Sequence, residues 1–169
     1  MKLYITIAIL LMVVVLGCKP APPAEVVPVA ESEIDVDALL ADYNPGEWIT
    51  DYASAVKFAN ELKRPIFINF TGSDWCSWCI RLDKEVFSQP EFNNYAKESL
   101  ILLKLDFPRS LPQSAELKTQ NQSLQSKYGV RGYPTIVLID HNEKEIGRTG
   151  YQQGGAVKYV SHIKELIQK

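Results

Sequence analysis

Two cysteines three positions apart, Cys76 and Cys79, are the residues of this sequence best suited to chemistry. Thiol–disulfide exchange needs one thiolate that attacks a disulfide and a second thiol close enough to resolve the mixed disulfide. If the pair begins a helix, the N–H groups and dipole of the first turn favour a negative sulfur on Cys76. Cys79 would then lie one turn further along, less exposed. The spacing therefore predicts catalytic roles for Cys76 and Cys79 in redox exchange.

Two other roles are open to the same pair, a static structural disulfide and a metal site. A structural zinc site takes four ligands, and neither histidine of the chain, His141 or His162, has ligand spacing to the cysteines. Copper(I) needs only two soft thiolates, so a copper(I)-handling protein remains an alternative. A membrane-tethered binding module that uses the pair only for regulation is another. We expect no metal, and no cofactor beyond the redox-active disulfide Cys76–Cys79.

The third cysteine, Cys18, ends an apolar run over residues 3–16 that follows Lys2. This pattern is typical of an export signal, and the run is short for a membrane span of about 20 residues. The run Val15-Leu16-Gly17-Cys18 resembles the lipobox of bacterial lipoproteins, whose cysteine is lipidated and becomes the first residue after cleavage. The resemblance implies a lipoprotein signal peptide over 1–17 and a lipid anchor at Cys18. An uncleaved signal anchor and a plain secretory signal with a free Cys18 are the alternatives.

The segment 18–46 is rich in proline, alanine and acidic residues. Such a composition buries too little apolar surface to fold, so it predicts a flexible linker, with a short helix over 35–43. In Gram-negative lipoproteins an aspartate after the lipidated cysteine signals retention in the inner membrane. Lys19 stands there instead, which favours the outer membrane, with the protein facing the periplasm of the cell envelope.

Residues 47–169 predict one folded domain of mildly basic charge. The whole chain is 46% hydrophobic with a net charge of −2, which suits a globular core and indicates no nucleic-acid partner. Apolar spacing and turn signals predict helices over 52–62, 75–87 and 91–97, a helix ending at Gly129, and a closing helix to Ile167. Strands are predicted over 66–70, 100–107, 135–139 and 145–148. This order indicates a three-layer α/β domain with a mixed sheet.

The active-site run resembles that of the thioredoxin superfamily. A strand and Trp75 precede the cysteine pair, and Lys127–Thr135 is similar to that family's second landmark, where a cis proline, here Pro134, faces the cysteines. The resemblance implies a thioredoxin-like α/β fold, with a central mixed β-sheet flanked by helices. It also implies that Tyr133 pairs its backbone with a client, and that Trp75, Trp78 and Pro134 join Tyr133 in substrate binding.

A bacterial branch of that superfamily is similar in more detail. The run Gly72–Cys76 with Leu82 and Glu85–Phe87 resembles the soluble domains of thiol:disulfide interchange proteins. This resemblance implies a thiol–disulfide oxidoreductase that acts as a protein-disulfide reductase. Its partners would be client proteins with disulfides or thiols, a membrane or periplasmic thiol electron donor, and the membrane through the lipid anchor. We expect a monomer, because no dimerisation segment is visible.

The sequence departs from thioredoxin at Asn69, where many thioredoxins carry a buried aspartate that moves the proton of the second cysteine. An amide cannot take a proton, so either a neighbouring group or water does this work, or resolution is slower than in thioredoxin. Four further features receive ordinary interpretations. Trp48 is a core or rim residue of the first helix, Asp74 caps the second helix, and Tyr151 has no assigned role. The loop over 107–112 favours an ordinary connection, with a wall of a client groove as the alternative.

Overall fold

The structure is a computed structural model that describes residues 41–168. The predicted signal peptide, Cys18 and nearly all of the linker, including most of its predicted helix, lie outside the described residues. Within residues 41–168, none of the helices combines the length and the apolar character required to cross a membrane.

The described chain contains five strands and five α-helices, in the order β1-α1-β2-α2-α3-β3-α4-β4-β5-α5. The strands are β1 (Trp48–Ile49), β2 (Ile66–Thr71), β3 (Ile101–Asp106), β4 (Thr135–Ile139) and β5 (Glu145–Thr149). The helices are α1 (Tyr52–Leu62), α2 (Ser77–Leu82), α3 (Pro90–Ser99), α4 (Ala115–Lys127) and α5 (Gly155–Ile167). A π-helical turn, Asp83–Phe87, continues α2 without a break.

The strands form one mixed sheet in the order β1-β3-β2-β4-β5. The β3 strand runs parallel to both β1 and β2, whereas β4 pairs antiparallel with β2 and β5. All six residues of β2 are buried, as expected for a central strand covered on both faces. The mixed sheet and the thioredoxin-like α/β fold are confirmed.

Successive β2 residues serve two apolar cores because side chains alternate across a strand. Ile66, Ile68 and Phe70 pack into the core that α1 and α4 cover. Phe67 packs on the opposite face, where its ring lies 5.7 Å from Phe87. The helix α2, its π-helical turn, α3 and α5 cover that second core, so the sheet is the middle of three layers.

Two predictions about local structure are wrong. Trp48 lies in β1, where it pairs with Leu102 of β3; a two-residue strand is too short to produce a recognisable alternation. The second helix begins at Ser77 rather than Trp75, and its N-cap is Cys76 rather than Asp74.

The packed region also includes Tyr43, which precedes the expected start of the domain. Its ring lies 4.8 Å from that of Phe58 on α1, and only 8% of the residue is exposed. Apolar packing therefore begins before the first strand.

Candidate active site

The two cysteines form a disulfide at the N-terminus of α2. Cys76 occupies the N-cap, and its Sγ accepts the backbone N–H of Cys79 at 3.2 Å. The sulfur thus satisfies a donor that the first turn of a helix leaves unpaired. The same donor would stabilise a Cys76 thiolate. In the disulfide form both cysteines are nearly buried, at 6% and 4% exposed, so the expected difference in exposure is small.

A tight turn at Gly72 leads from β2 into the cysteines. Its carbonyl accepts the backbone N–H of Cys76 at 2.9 Å, and the indole of Trp75 lies directly against its Cα. A side chain at residue 72 would place its Cβ 2.5 Å from Cε2 of Trp75, closer than packed atoms allow. Glycine is therefore required here by the close approach of the Trp75 ring.

Three hydrogen bonds attach this turn to the end of β3. The indole N–H of Trp75 donates to the carbonyl of Phe107 at 2.8 Å. Two residues earlier, the backbone N–H and the hydroxyl of Ser73 donate to the carboxylate of Asp106 at 2.9 and 2.6 Å. We call Gly72, Asp74, Trp75 and the loop 107–111 the loop-side flank of the disulfide.

Asp74 binds the loop rather than the helix. Its carboxylate accepts the backbone N–H groups of Arg109, Ser110 and Leu111 at 2.6 to 3.2 Å. These donors hold the pKa of Asp74 below its ordinary value, because they stabilise the charged form. The guanidinium of Arg109 lies 4.0 Å from the centre of the Trp75 ring. The loop is therefore part of the active-site wall and not a simple connection.

The Tyr133–Pro134 landmark lies beside the residue that precedes the cysteine pair. The Tyr133–Pro134 peptide bond is cis, and the ring of Tyr133 packs edge-on against Trp75 with centroids 5.8 Å apart. Gln125 of α4 donates to the Tyr133 hydroxyl at 2.7 Å. The fold thus brings the residue before the cis proline into contact with the residue before Cys76.

Trp78 stands between the two cysteines along the chain and is 52% exposed. Its ring is 5.1 Å from that of Tyr151, and the guanidinium of Arg81 lies 5.5 Å from Trp78 and 5.3 Å from Tyr151. Glu85 accepts the Tyr151 hydroxyl at 2.6 Å and the Arg81 Nε at 2.7 Å, which lowers the pKa of Glu85. We call these four residues the helix-side flank.

Sequence analysis missed the role of Tyr151. Arg81 and Glu85 stand four positions apart, which on a helix predicts an ion pair. Tyr151 follows β5 and reaches them only through the fold, so spacing along the chain carries no signal for it.

A cavity of about 190 Å³ lies beneath Cys79. Its wall includes Asn69 of β2, Lys104 of β3 and Asp83 at the end of α2. Asn69 is 6% exposed, and its Oδ1 has no hydrogen-bond partner among residues 41–168. Within the same range, no group of three or more His, Cys, Asp or Glu side chains is arranged to hold a metal ion.

Comparison with known proteins assigns the chain to a family. A family model described as "Thioredoxin-like" matches residues 47–141, more than half of the chain. The chain belongs to the thioredoxin-like family. Both landmarks of the active site lie within the matched residues, so family and site agree.

The named relatives of this thioredoxin-like protein include a disulfide bond reductase and a thiol:disulfide interchange protein. It is 37% identical to "Disulfide bond reductase DsbH" of Chlamydia pneumoniae, over 69% of this chain and 70% of that protein. It is 32% identical to "Thioredoxin-related protein DsbJ" of the same organism, over 72% of this chain but 37% of DsbJ. A "Thiol:disulfide interchange protein DsbD" of Photorhabdus laumondii is 36% identical over 56% of this chain and 15% of its own length.

Solved structures agree with this assignment. The "DsbH Oxidoreductase" structure matches with a TM-score of 0.70 at 36% identity, covering 72% of this chain and 84% of that one. A Thermus thermophilus thioredoxin matches with a TM-score of 0.51 at 21% identity, covering 72% and 85%, which supports the fold alone. With a disulfide-forming Cys76–Cys79 pair at the start of α2, this thioredoxin-like protein is a thiol–disulfide oxidoreductase.

Proposed function

We propose that the protein reduces disulfides of client proteins in the cell envelope. The observation that carries the proposal is the position of Cys76, whose sulfur accepts a helix N-terminal N–H next to Trp75 and the cis Tyr133–Pro134 bond. A sulfur in that position is stabilised as a thiolate, and the thiolate is the attacking species in exchange.

The reaction proceeds through one mixed disulfide. The Cys76 thiolate attacks a client disulfide, forms a bond to one client sulfur and releases the other as a thiolate that takes up a proton. Cys79 then attacks Cys76 and releases the second client sulfur. The client gains two electrons and two protons, and the protein is left with the Cys76–Cys79 disulfide.

Four residues around the disulfide are proposed to contact the client. Tyr133 and Pro134 offer backbone to an extended client segment, which suits β-type pairing of main chains. Trp75 contributes a partly buried ring, whereas Trp78 offers a half-exposed apolar surface beside the reacting sulfur. The name of the DsbH relative, a disulfide bond reductase, supports a disulfide-bearing client.

The proposed location of the domain in the cell rests on its N-terminal sequence. Lipidation of Cys18 would anchor the protein, and residues 18–46 would tether the domain, facing the periplasm and by preference from the outer membrane. A reductase leaves each turnover oxidised, so a membrane or periplasmic thiol donor must reduce it again. Similarity to DsbD, a thiol:disulfide interchange protein, supports a donor of that chemistry.

The reduction potential of Cys76–Cys79 tests the direction of electron flow. We expect equilibration with glutathione buffers to give a low reduction potential, close to that of thioredoxin at about −270 mV. A value near about −120 mV would contradict the reductase proposal and indicate a disulfide donor. Absence of any redox couple would support the binding or copper(I) alternative instead.

Client capture tests the substrate class. A Cys79→Ala variant should retain clients as mixed disulfides that thiol reductants release. The matched Cys76→Ser variant, which lacks the attacking sulfur, should retain none and should lose reductase activity. Equal capture by both variants would contradict exchange at Cys76.

A further inference from the structure

We propose that Arg109 binds an acidic side chain of the client, so that the protein prefers disulfides with an aspartate or glutamate close to the attacked cysteine. This inference rests on the proposed function and deepens it, because it names a substrate class for the same site. Arg109 lies in the loop that follows β3, outside both sequence landmarks of the active site.

The loop holds Arg109 next to the cysteine pair. Its backbone N–H donates to both carboxylate oxygens of Asp74, at 3.0 and 3.1 Å. Its guanidinium carbon lies 4.0 Å from the centre of the Trp75 ring, and Trp75 immediately precedes Cys76. A positive charge is therefore held beside the reacting sulfur.

The hydrogen-bonding edge of this guanidinium is open. A separation of 4.0 Å suits a guanidinium stacked flat on the indole, and its N–H donors then lie in its own plane, directed away from the ring. The side chain is exposed. Among residues 41–168, the ion pairs shorter than 4.0 Å involve Arg81, Lys127 and Arg148 but not Arg109. Its planar fork, which matches a carboxylate, is free to bind one.

The arginine of the helix-side flank shows the contrast. Arg81 also lies over a tryptophan, 5.5 Å from the centre of the Trp78 ring, but its Nε donates to Glu85 at 2.7 Å. Arg81 thus has a carboxylate from its own helix. On the loop-side flank, the carboxylate of Asp74 accepts backbone N–H groups instead. We therefore expect the client to supply the carboxylate that Arg109 binds.

The proposed path of the client brings its side chains to Arg109. The client segment lies along Tyr133–Pro134, and the Tyr133 ring packs against Trp75. Side chains alternate along an extended segment, so residues two positions before and after the attacked cysteine point the same way as the cysteine. That cysteine must face Cys76, so these neighbours face the protein as well. We expect the acidic residue at one of these two positions.

The expected preference is modest in size. Exposed ion pairs contribute little, because ordering two long side chains costs entropy. Here Trp75 already orders the guanidinium, which leaves only the client side chain to be ordered. We therefore expect an effect of about fivefold, at the upper end for exposed pairs.

Single-turnover oxidation of the reduced protein by disulfide-linked peptide dimers tests this preference. The paired peptides differ only in a glutamate or a glutamine two positions from the cysteine, and both placements are measured. For one placement we expect the second-order rate constant to be about fivefold higher with glutamate at low ionic strength. Added salt should bring this ratio towards one, because it screens exposed charges.

Three variants show whether the ratio depends on Arg109. In Arg109→Gln it should fall to about one, while the bonds of the loop backbone to Asp74 remain. Arg109→Lys, which keeps the charge but not the planar fork, should keep a ratio of about two. The control Lys57→Gln removes an exposed positive charge from α1 and should leave the native ratio unchanged. Because each ratio compares two peptides on one variant, a change in Cys76 reactivity cancels.

A ratio near one in the native protein at both placements would overturn the inference while leaving the proposed function intact. The same ratio in the native protein and in Arg109→Gln would overturn it as well. Failure of all the peptides to oxidise the reduced native protein would contradict the proposed function itself, and this inference with it.

Discussion

The two flanks of the Cys76–Cys79 disulfide are held by different kinds of contact. On the loop-side flank, side chains are held by hydrogen bonds to backbone groups. Asp74 accepts three loop N–H groups, and Trp75 donates to the carbonyl of Phe107. On the helix-side flank, Trp78 is held by the side chains of Tyr151 and Arg81. Backbone donors are fixed by the fold, whereas exposed side chains retain rotamer freedom.

If both flanks contact clients, as proposed above, this difference predicts that they recognise different parts of the client. The loop-side flank presents a rigid edge with Trp75 and Tyr133 in contact, which suits the constant part of any client, its main chain. The helix-side flank presents a half-exposed indole whose neighbours can adjust, which suits variable client side chains. Apart from those at Arg109, changes on the first flank should therefore affect folding and all substrates, and changes on the second should affect protein clients most.

The largest effect is expected from Gly72→Ala on the loop-side flank. The new Cβ would sit 2.5 Å from the Trp75 ring, so the ring must move and its bond to the Phe107 carbonyl is lost. Overpacking of this kind costs about 1–3 kcal/mol of unfolding free energy. Denaturant unfolding measures it, and reduction of small and protein disulfides should fall together.

Gly132→Ala is the matched control, since a Cβ there meets nothing within 4 Å. Its unfolding free energy should stay within about 0.5 kcal/mol of the native value. Equal stability of the two variants would show that the Trp75 ring can move away from a Cβ at residue 72 without loss of stability.

Trp78→Ala should have the next largest effect, on protein clients. Loss of a half-exposed indole beside the reacting sulfur is expected to lower kcat/KM for a protein disulfide about 10-fold, which equals about 1.4 kcal/mol. The loss for a small disulfide should be smaller, because such a substrate does not span the flank. Val157→Ala, another exposed apolar residue, serves as control. Equal losses for both substrates would contradict client contact at Trp78.

Acid should weaken the loop-side flank through Asp74. The loop donors lower the pKa of Asp74 in the folded protein below its unfolded value of about 3.9. The stabilisation is therefore complete above that unfolded value and is lost as pH falls through the folded pKa. We expect the unfolding midpoint of the native protein to drop more steeply below about pH 4 than that of Asp74→Asn.

Glu85→Gln gives the corresponding test on the helix-side flank. The Tyr151 hydroxyl and Arg81 also lower the pKa of Glu85, so the sign of the effect is the same. Its contribution to the acid slope should be smaller than that of Asp74, because its donors are side chains rather than backbone N–H groups. The reverse order would contradict the contrast between the flanks.

Tyr151→Phe should have the smallest effect. The substitution keeps the ring against Trp78 but removes the hydrogen bond to Glu85, so the pKa of Glu85 should rise in an NMR titration. We expect about a twofold change in KM for a protein client, in line with the small energies of exposed contacts. A change as large as that of Trp78→Ala would mean that the hydroxyl itself binds the client.

Much of the fold was predictable because its signals are local. The continuous apolar run of β2 predicts a doubly covered strand, and apolar residues at helical spacing predict α1 and α5. The cysteine spacing and the Tyr133–Pro134 landmark identify the redox centre in the same way. The two-residue β1 escaped prediction, since it exists only through pairing with β3.

By itself the sequence determined that a cysteine pair would stand where a helix begins, and that Asn69 would replace a buried acid. The tertiary structure decided what surrounds that pair. Asp74 binds a loop 35 residues away instead of capping its own helix, because three convergent backbone N–H groups stabilise a carboxylate better than one helix end. Tyr151 meets Trp78, and Lys104 stands beside Asn69, only after strands pair. Contacts between residues distant along the chain depend on register and packing, which no local pattern encodes.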